Sequence, residues 1–331
     1  MVLAASVRMS ARAVVAVLAA TLVVSCSDGD SGAAITVGAG NSAQSELIAE
    51  IYAGALARGG TPTATRTRLG QRGDYLAALD AGTVQLVGDD SGDLLSALDA
   101  GSRARWPDKL AAAAATTTPA PGAKPVPDVS DAVSRALPEG LAVSDIADGT
   151  DLRPSFVFAP APAQQFPDSL ADLAPHCGEL TVGIATGSEL DPLRRSPDPR
   201  HDVLDPLHAV YGCDITHHTV YPSDSELRKA LRDGQIQAGV LTAPVTLLPG
   251  GAGELVPIAD PDYAFRARSV IPLFRKGALS GRQIKQLNRV AGELTTADLA
   301  TDSLTEMVRR IRDDHAVPRE LARAWLDAHD I

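Results

Sequence analysis

The sequence predicts an α/β protein of two lobes, each built on a mostly parallel sheet, with a ligand cleft between them. Three observations predict it. Short apolar runs alternate with helical patterns along two separate stretches, as strand–helix layers require. Between the stretches lies 147–154, Ala-Asp-Gly-Thr-Asp-Leu-Arg-Pro, which reads as a crossover. Gly-rich or acidic turns fall where strands give way to helices, the place where open α/β sheets hold ligands.

In the first stretch, 35–38 reads as a buried strand, and Asn41 or Ser42 can cap a helix running to about residue 58. Residues 61–69 alternate as a strand does. Residues 75–79 are helical and Gly82 ends them; 84–87 is a strand and 91–98 a helix. Residues 111–127 are a low-complexity interruption whose alanines could extend a helix end until the prolines stop it. A helix at 131–137 and a strand at 141–146 close the stretch.

The second stretch opens with a strand at 155–159. A short helix at 168–173 and a strand at 180–185 follow, then helix 203–211 and strand 215–221. Asp224 starts a helix that Gly234 stops, and 236–241 is a strand. Strands at 254–258 and 269–274 precede three helices at 281–294, 296–314 and 318–328. In the second of these, Leu304, Met307, Val308 and Ile311 share a face at helical spacing and belong to a core.

The amino-terminal segment has Arg8 and Arg12, an apolar run over 13–24, then Leu22-Val23-Val24-Ser25-Cys26. A basic start, a short apolar core and a small residue before the cut make a secretory signal. The run is shorter than the roughly 20 residues that span a bilayer. It resembles a bacterial lipoprotein signal, in which Cys26 receives a diacylglyceryl group and cleavage falls just before it. That resemblance implies a membrane-anchored protein on the extracytoplasmic face, held by lipid through Cys26. The expected layout is a signal at 1–25, a Ser/Asp/Gly tether at 26–33, lobe 1 from 34–150 and 255–331, and lobe 2 from 151–254.

The chain carries 41 acidic and 30 basic residues, a formal charge of -11, and removal of Arg8 and Arg12 makes it two units more negative. That argues against a nucleic-acid surface. With Cys26 lipidated, Cys177 and Cys213 remain as a pair in an oxidising compartment. Each precedes a predicted strand, and neighbouring parallel strands would bring the two together as a disulfide. Two free buried thiols are the alternative.

Several motifs have competing readings. Val37-Gly38-Ala39-Gly40-Asn41-Ser42-Ala43 partly matches the dinucleotide fingerprint, with Arg66 and Arg68 in the next strand. Nicotinamide cofactors do not occur outside the membrane, so the use left to this turn is to present N–H groups to a polar ligand. Asp89-Asp90-Ser91-Gly92-Asp93 suits a helix cap and a ligand site equally. His217 and His218 alternate across a strand and cannot face one metal from one side. Nothing assembles a nucleophile, a base and an oxyanion hole. No enzymatic activity, metal or cofactor is expected.

Three stretches resemble the solute-binding proteins of bacterial osmoprotectant ABC importers. The first is 35–41 with Ile48-Ala49-Glu50-Ile51-Tyr52. The second is Gly73-Asp74-Tyr75-Leu76-Ala77-Ala78-Leu79 with 84–92. The third is Asp260-Pro261 through Ile271-Pro272-Leu273. The resemblance implies a periplasmic-binding-protein-like fold. It also implies a monomer that closes on a small polar solute and delivers it to an ABC permease. That family grips quaternary ammonium groups with a tyrosine cage. The cage positions here read Asp90-Ser91-Gly92, Thr242, Arg268-Ser269 and a tyrosine-free 150–155, and a ligand-holding threonine is replaced by Asp93. The expected ligand groups are therefore Asn41, Asp90 and Asp93 from lobe 1, Ser188 and Thr242 from lobe 2, and Arg268 near the hinge. The alternative is a non-transporting lipoprotein that binds a partner protein or modulates a permease.

Overall fold

The computed structural model describes residues 34–107, 128–192, 194–297 and 302–331. Cys26, the signal and tether, and the low-complexity stretch 111–127 lie outside the described residues.

The expected alternation is present. Strands β1 (Ile35–Gly38), β2 (Thr63–Arg66), β3 (Leu86–Asp90) and β4 (Leu141–Val143) come from the first stretch. Strands β5 (Ser155–Phe158), β6 (Thr181–Ala185), β7 (His217–Tyr221), β8 (Ala238–Leu241) and β9 (Val256–Pro257) come from the second. Strand β10 (Val270–Arg275) follows. They form two five-stranded sheets, in the orders β2-β1-β3-β10-β4 and β7-β6-β8-β5-β9.

The expected mostly parallel sheets are present, mixed rather than strictly parallel: in each, one strand of five runs against the other four. In the first, β1 runs parallel to β2 and β3, while β10 is antiparallel to β3 and β4. In the second, β6 runs parallel to β7 and β8, while β5 is antiparallel to β8 and β9. The reversed strands are those on which the chain passes from one sheet to the other. Entering a sheet from the far side reverses a strand's direction, and periodicity carries no trace of it. Strand β9 brings a correction. Residues 255–331 were expected in lobe 1, but Val256 and Pro257 pair with β5, and the chain rejoins the first sheet only at β10.

The central strands of each sheet are apolar on both faces, as strands covered by helices on two sides must be. In the first sheet, Val37, Leu86 and Val270 pack with Leu47, Tyr52 and Trp325 on one face. Val87, Ile271 and Leu273 pack with Leu79, Leu94 and Val133 on the other. Leu304, Met307 and Val308 are buried, and Ile311 packs against the same core. That helix spans Leu304–Asp313, with Ser303 as its cap, so it starts later than the expected 296. Among the described residues no helix is long and apolar enough to cross a membrane.

Cys177 and Cys213 form a disulfide, with Cα atoms 5.3 Å apart. Cys177 precedes β6 and Cys213 precedes β7, and those strands are parallel neighbours paired Thr181 to His217. Adjacent parallel strands start side by side, which is why the two thiols meet.

Two connections, 144–154 and 258–269, carry the chain between the sheets, and they are tied to each other. Leu152 N–H donates to Arg268 C=O at 2.8 Å, and Ala147 N–H to Val270 C=O at 2.9 Å. The Arg153 guanidinium bonds Asp260 at 3.2 Å and lies 3.9 Å over the Tyr263 ring. Asp260 also accepts from Tyr211 Oη at 2.7 Å and from the Ala264 and Phe265 N–H groups. The crossovers therefore run as a braced pair of spans.

Candidate functional site

The loops at the carboxyl ends of β1, β3, β6 and β8 face one another across a cavity of about 440 Å³. That lies within the roughly 300–1,000 Å³ usual for small-molecule sites. One wall comes from the first sheet, the other from the second, and Leu152, Pro154 and Arg268 of the crossovers close the back.

The floor is acidic because β3 ends in Asp89-Asp90 and a helix (Ser91–Leu98) starts at once. Asp90 is its N-cap, and Oδ1 accepts from Asp93 N–H at 3.0 Å. This helix start is fastened beside Arg268. Ser91 N–H donates to Ser269 C=O at 2.9 Å, and Ser269 N–H donates to Ser91 Oγ at 3.0 Å. Gly92 permits the approach, since a Cβ there would lie 2.5 Å from the Ala267 carbonyl oxygen and 2.7 Å from Arg268 Cγ.

Three arginines meet these acids. Arg72 forks onto Asp89, with Nη2 donating at 2.7 Å and Nε at 3.2 Å. Arg268 Nη2 lies 3.1 Å from Asp93 Oδ1. Arg194, from the loop after β6, reaches across the cavity to the other oxygen of Asp93. Asp90 makes no ion pair among the described residues. Burial, reinforced by the neighbouring Asp93 carboxylate, pushes its carboxyl up to about 7 against the pull of Arg268 and Arg194. Burial also disfavours the Asp93 charge, but Arg194, Arg268 and Arg72 outweigh it and hold that carboxyl well below the usual range.

On the far wall, Thr242 follows β8. Its N–H and Oγ1–H donate to Asp224 at 2.8 and 2.7 Å. Asp224 is fully buried at the start of a helix (Asp224–Arg232), and burial raises its carboxyl despite the bonds from Thr242. Ser188 Oγ accepts from Asp191 N–H at 3.3 Å.

Of the residues expected from sequence, Asp90, Asp93, Ser188, Thr242 and Arg268 line this one cavity, and Asn41 does not. Asn41 Oδ1 instead accepts from Gly70 N–H at 3.2 Å, joining the turn after β1 to the loop after β2. The glycine turn also has less to offer than expected, since Gly40 N–H donates to Ser45 Oγ. Arg72, Asp89 and Arg194 were missed. Asp89 stood beside Asp90 in the motif. Arg194 sits in a polar loop without period, and its role depends on a partner 101 positions away. Tyr75 is the one aromatic among the described lining residues.

No curated protein sequence matches the chain. Among solved structures, a glycine betaine/carnitine/choline ABC transporter protein superimposes with a TM-score of 0.65 at 16% identity, covering 89% of this chain and 98% of that one. Apo YehZ from Escherichia coli does so with a TM-score of 0.62 at 16% identity, covering 90% and 99%. At such identity these likenesses establish the two-lobed fold. The sequence profile of OpuAC, the substrate-binding domain of ABC-type glycine betaine transport systems, matches residues 33–328. A profile that spans both sheets and both crossovers settles the matter: the chain belongs to the family of substrate-binding domains of ABC-type glycine betaine transport systems.

Proposed function

We propose that this protein is an extracytoplasmic lipoprotein, anchored through Cys26, that captures a small polar solute and delivers it to an ABC permease. It acts as a monomer and does no chemistry on its ligand. Lobe 1 comprises 34–150 with 270–331, and lobe 2 comprises 151–269, once the segment carrying β9 is assigned by its pairing. The observation that carries the reading is the cavity between the lobes, whose polar groups come from both. A solute held by both walls stabilises the closed arrangement by its differential affinity for it.

Glycine betaine, the solute of the family's name, is a poor ligand in this reading. Its trimethylammonium has no N–H to donate and depends on aromatic faces, each worth roughly 0.5–2 kcal/mol. Tyr75 alone supplies one among the described lining residues. The test is thermal shift and small-angle scattering of the full chain in detergent against osmolytes, amino acids, polyols and polyamines. At least one solute should raise the melting temperature and reduce the radius of gyration. If none does either, solute capture is wrong.

A second reading, a non-transporting lipoprotein that binds a partner protein, has one observation in its favour. The cleft is already spanned by its own Arg194–Asp93 ion pair. Solute-induced closure separates the two readings.

A further inference from the structure

At the cleft floor three acids, Asp89, Asp90 and Asp93, face three guanidiniums, Arg72, Arg194 and Arg268, and Asp191, Asp202 and Arg195 also line the cavity. Each of the three guanidiniums already lies against a carboxylate. Asp90 spends one oxygen on the Asp93 N–H, and its other oxygen accepts no hydrogen bond among the described residues. Thr242 and Ser188 add hydroxyls from the opposite wall, and Ile48, Leu152 and Val240 add apolar surface.

This arrangement discriminates among ligand chemistries. An ion would carry its own desolvation cost. An amino-acid zwitterion needs an unpaired guanidinium for its carboxylate; Arg72, Arg194 and Arg268 are each against an acid, and Arg195, the other arginine of the lining, is exposed to solvent. A pair of neighbouring hydroxyls meets what is there. Each O–H can donate to a carboxylate oxygen while its lone pairs accept from a guanidinium N–H, so donors and acceptors alternate on both sides.

We infer that the ligand is a neutral polyhydroxylated compound, a polyol or sugar, whose vicinal hydroxyls are held by the Asp90 carboxylate with the Arg268 and Arg194 guanidiniums. The inference rests on the solute-capture reading and names its substrate class. Asp90 fixes specificity, since it is the acid on the floor without an ion-pair partner among the described residues.

The experiment is calorimetric titration of the full chain in detergent with mannitol, myo-inositol, trehalose, glycine and glycine betaine, with scattering to report closure. At least one of the three hydroxylated compounds should bind with submillimolar Kd and close the cleft. Its O-methylated analogue should bind at least tenfold more weakly, because the donors are gone. Asp90→Asn and Arg268→Gln, each confirmed folded by its circular dichroism and cooperative melt, should each weaken binding at least tenfold. Closure by glycine betaine or glycine without any by the hydroxylated compounds overturns the inference and leaves solute capture standing. Equal binding of the O-methylated analogue, or no loss in either variant, overturns it too. Binding and closure by none of the five overturns it, and the wider solute screen then decides whether capture falls with it.

Discussion

Arg194 and Asp93 form an ion pair across the cleft, joining the loop after β6 to the first turn of the helix after β3. Both side chains are largely sheltered, 20% and 14% exposed, so salt screens the pair less than a surface bridge. Arg268 holds the other oxygen of Asp93, so the acid stays ionised and the latch stays set.

Loss of that latch should open the ligand-free protein. Hydrogen bonds to charged groups contribute about 1.5–3 kcal/mol, enough to shift a two-state lobe equilibrium more than tenfold. Arg194→Ala should raise the radius of gyration and lengthen spin-label distances between the lobes, and Arg194→Lys should restore part of the closure. Identical distances in the wild type and Arg194→Ala would show that the pair does not hold the lobes.

Asp90 sets a pH dependence of stability with a definite sign. Its native carboxyl is raised to about 7, above the roughly 3.9 of an unfolded chain. Between those values the native state binds more protons than the unfolded state, so this group's contribution falls as pH rises through the window and stays lost above about 7. Asp93 acts in the opposite sense, stabilising above about pH 4 and losing that as pH falls further. Asparagine still caps a helix. Asp90→Asn should therefore stabilise the protein at pH 8 relative to pH 5, by on the order of 2–4 kcal/mol between the two. Urea unfolding at both values measures it, and an equal effect at both would contradict the assignment.

Thr242 is expected to matter for stability as well as for the cavity. Thr242→Val removes a hydroxyl donor from a fully buried carboxylate. The cost should be about 1–3 kcal/mol in chemical denaturation. Thr242→Ser should recover most of it. A neutral valine variant would mean that Asp224 finds its donor elsewhere.

The Cys177–Cys213 bridge closes a loop of 36 residues' separation. The chain-entropy relation gives about 3–4 kcal/mol for such a loop. Oxidised protein should be two hydrogens lighter than reduced protein by intact mass, and a Cys177→Ala, Cys213→Ala double variant should unfold at correspondingly lower denaturant. Two alkylatable thiols in oxidised, Cys26-processed protein would refute the pairing in solution.

Cys26 should carry the lipid and begin the mature chain. Wild-type protein expressed in a bacterium should incorporate a palmitate analogue and fractionate with membranes. A Cys26→Ala form should do neither, and persistent labelling would remove the anchor from the proposal.

Much of this protein is legible in its sequence because it is local. The helix Ser91–Leu98 starts and stops where its cap and apolar pattern dictate, and Pro318–Ala328 begins on its proline. The pairing of Cys177 with Cys213 followed from the order of two strands. Five of the six expected ligand groups reach one cavity because they sit at the carboxyl ends of strands or on a crossover. Tertiary structure decided the rest. Strand direction in β5 and β10 is set by the side from which the chain enters a sheet, and residue pattern has the same period either way. Asn41 left the site because its side chain found Gly70, and Arg194 joined it because the fold carries a periodless loop to Asp93. A charge acquires its role from its partner, and partners 101 residues apart are chosen by the packing of two lobes.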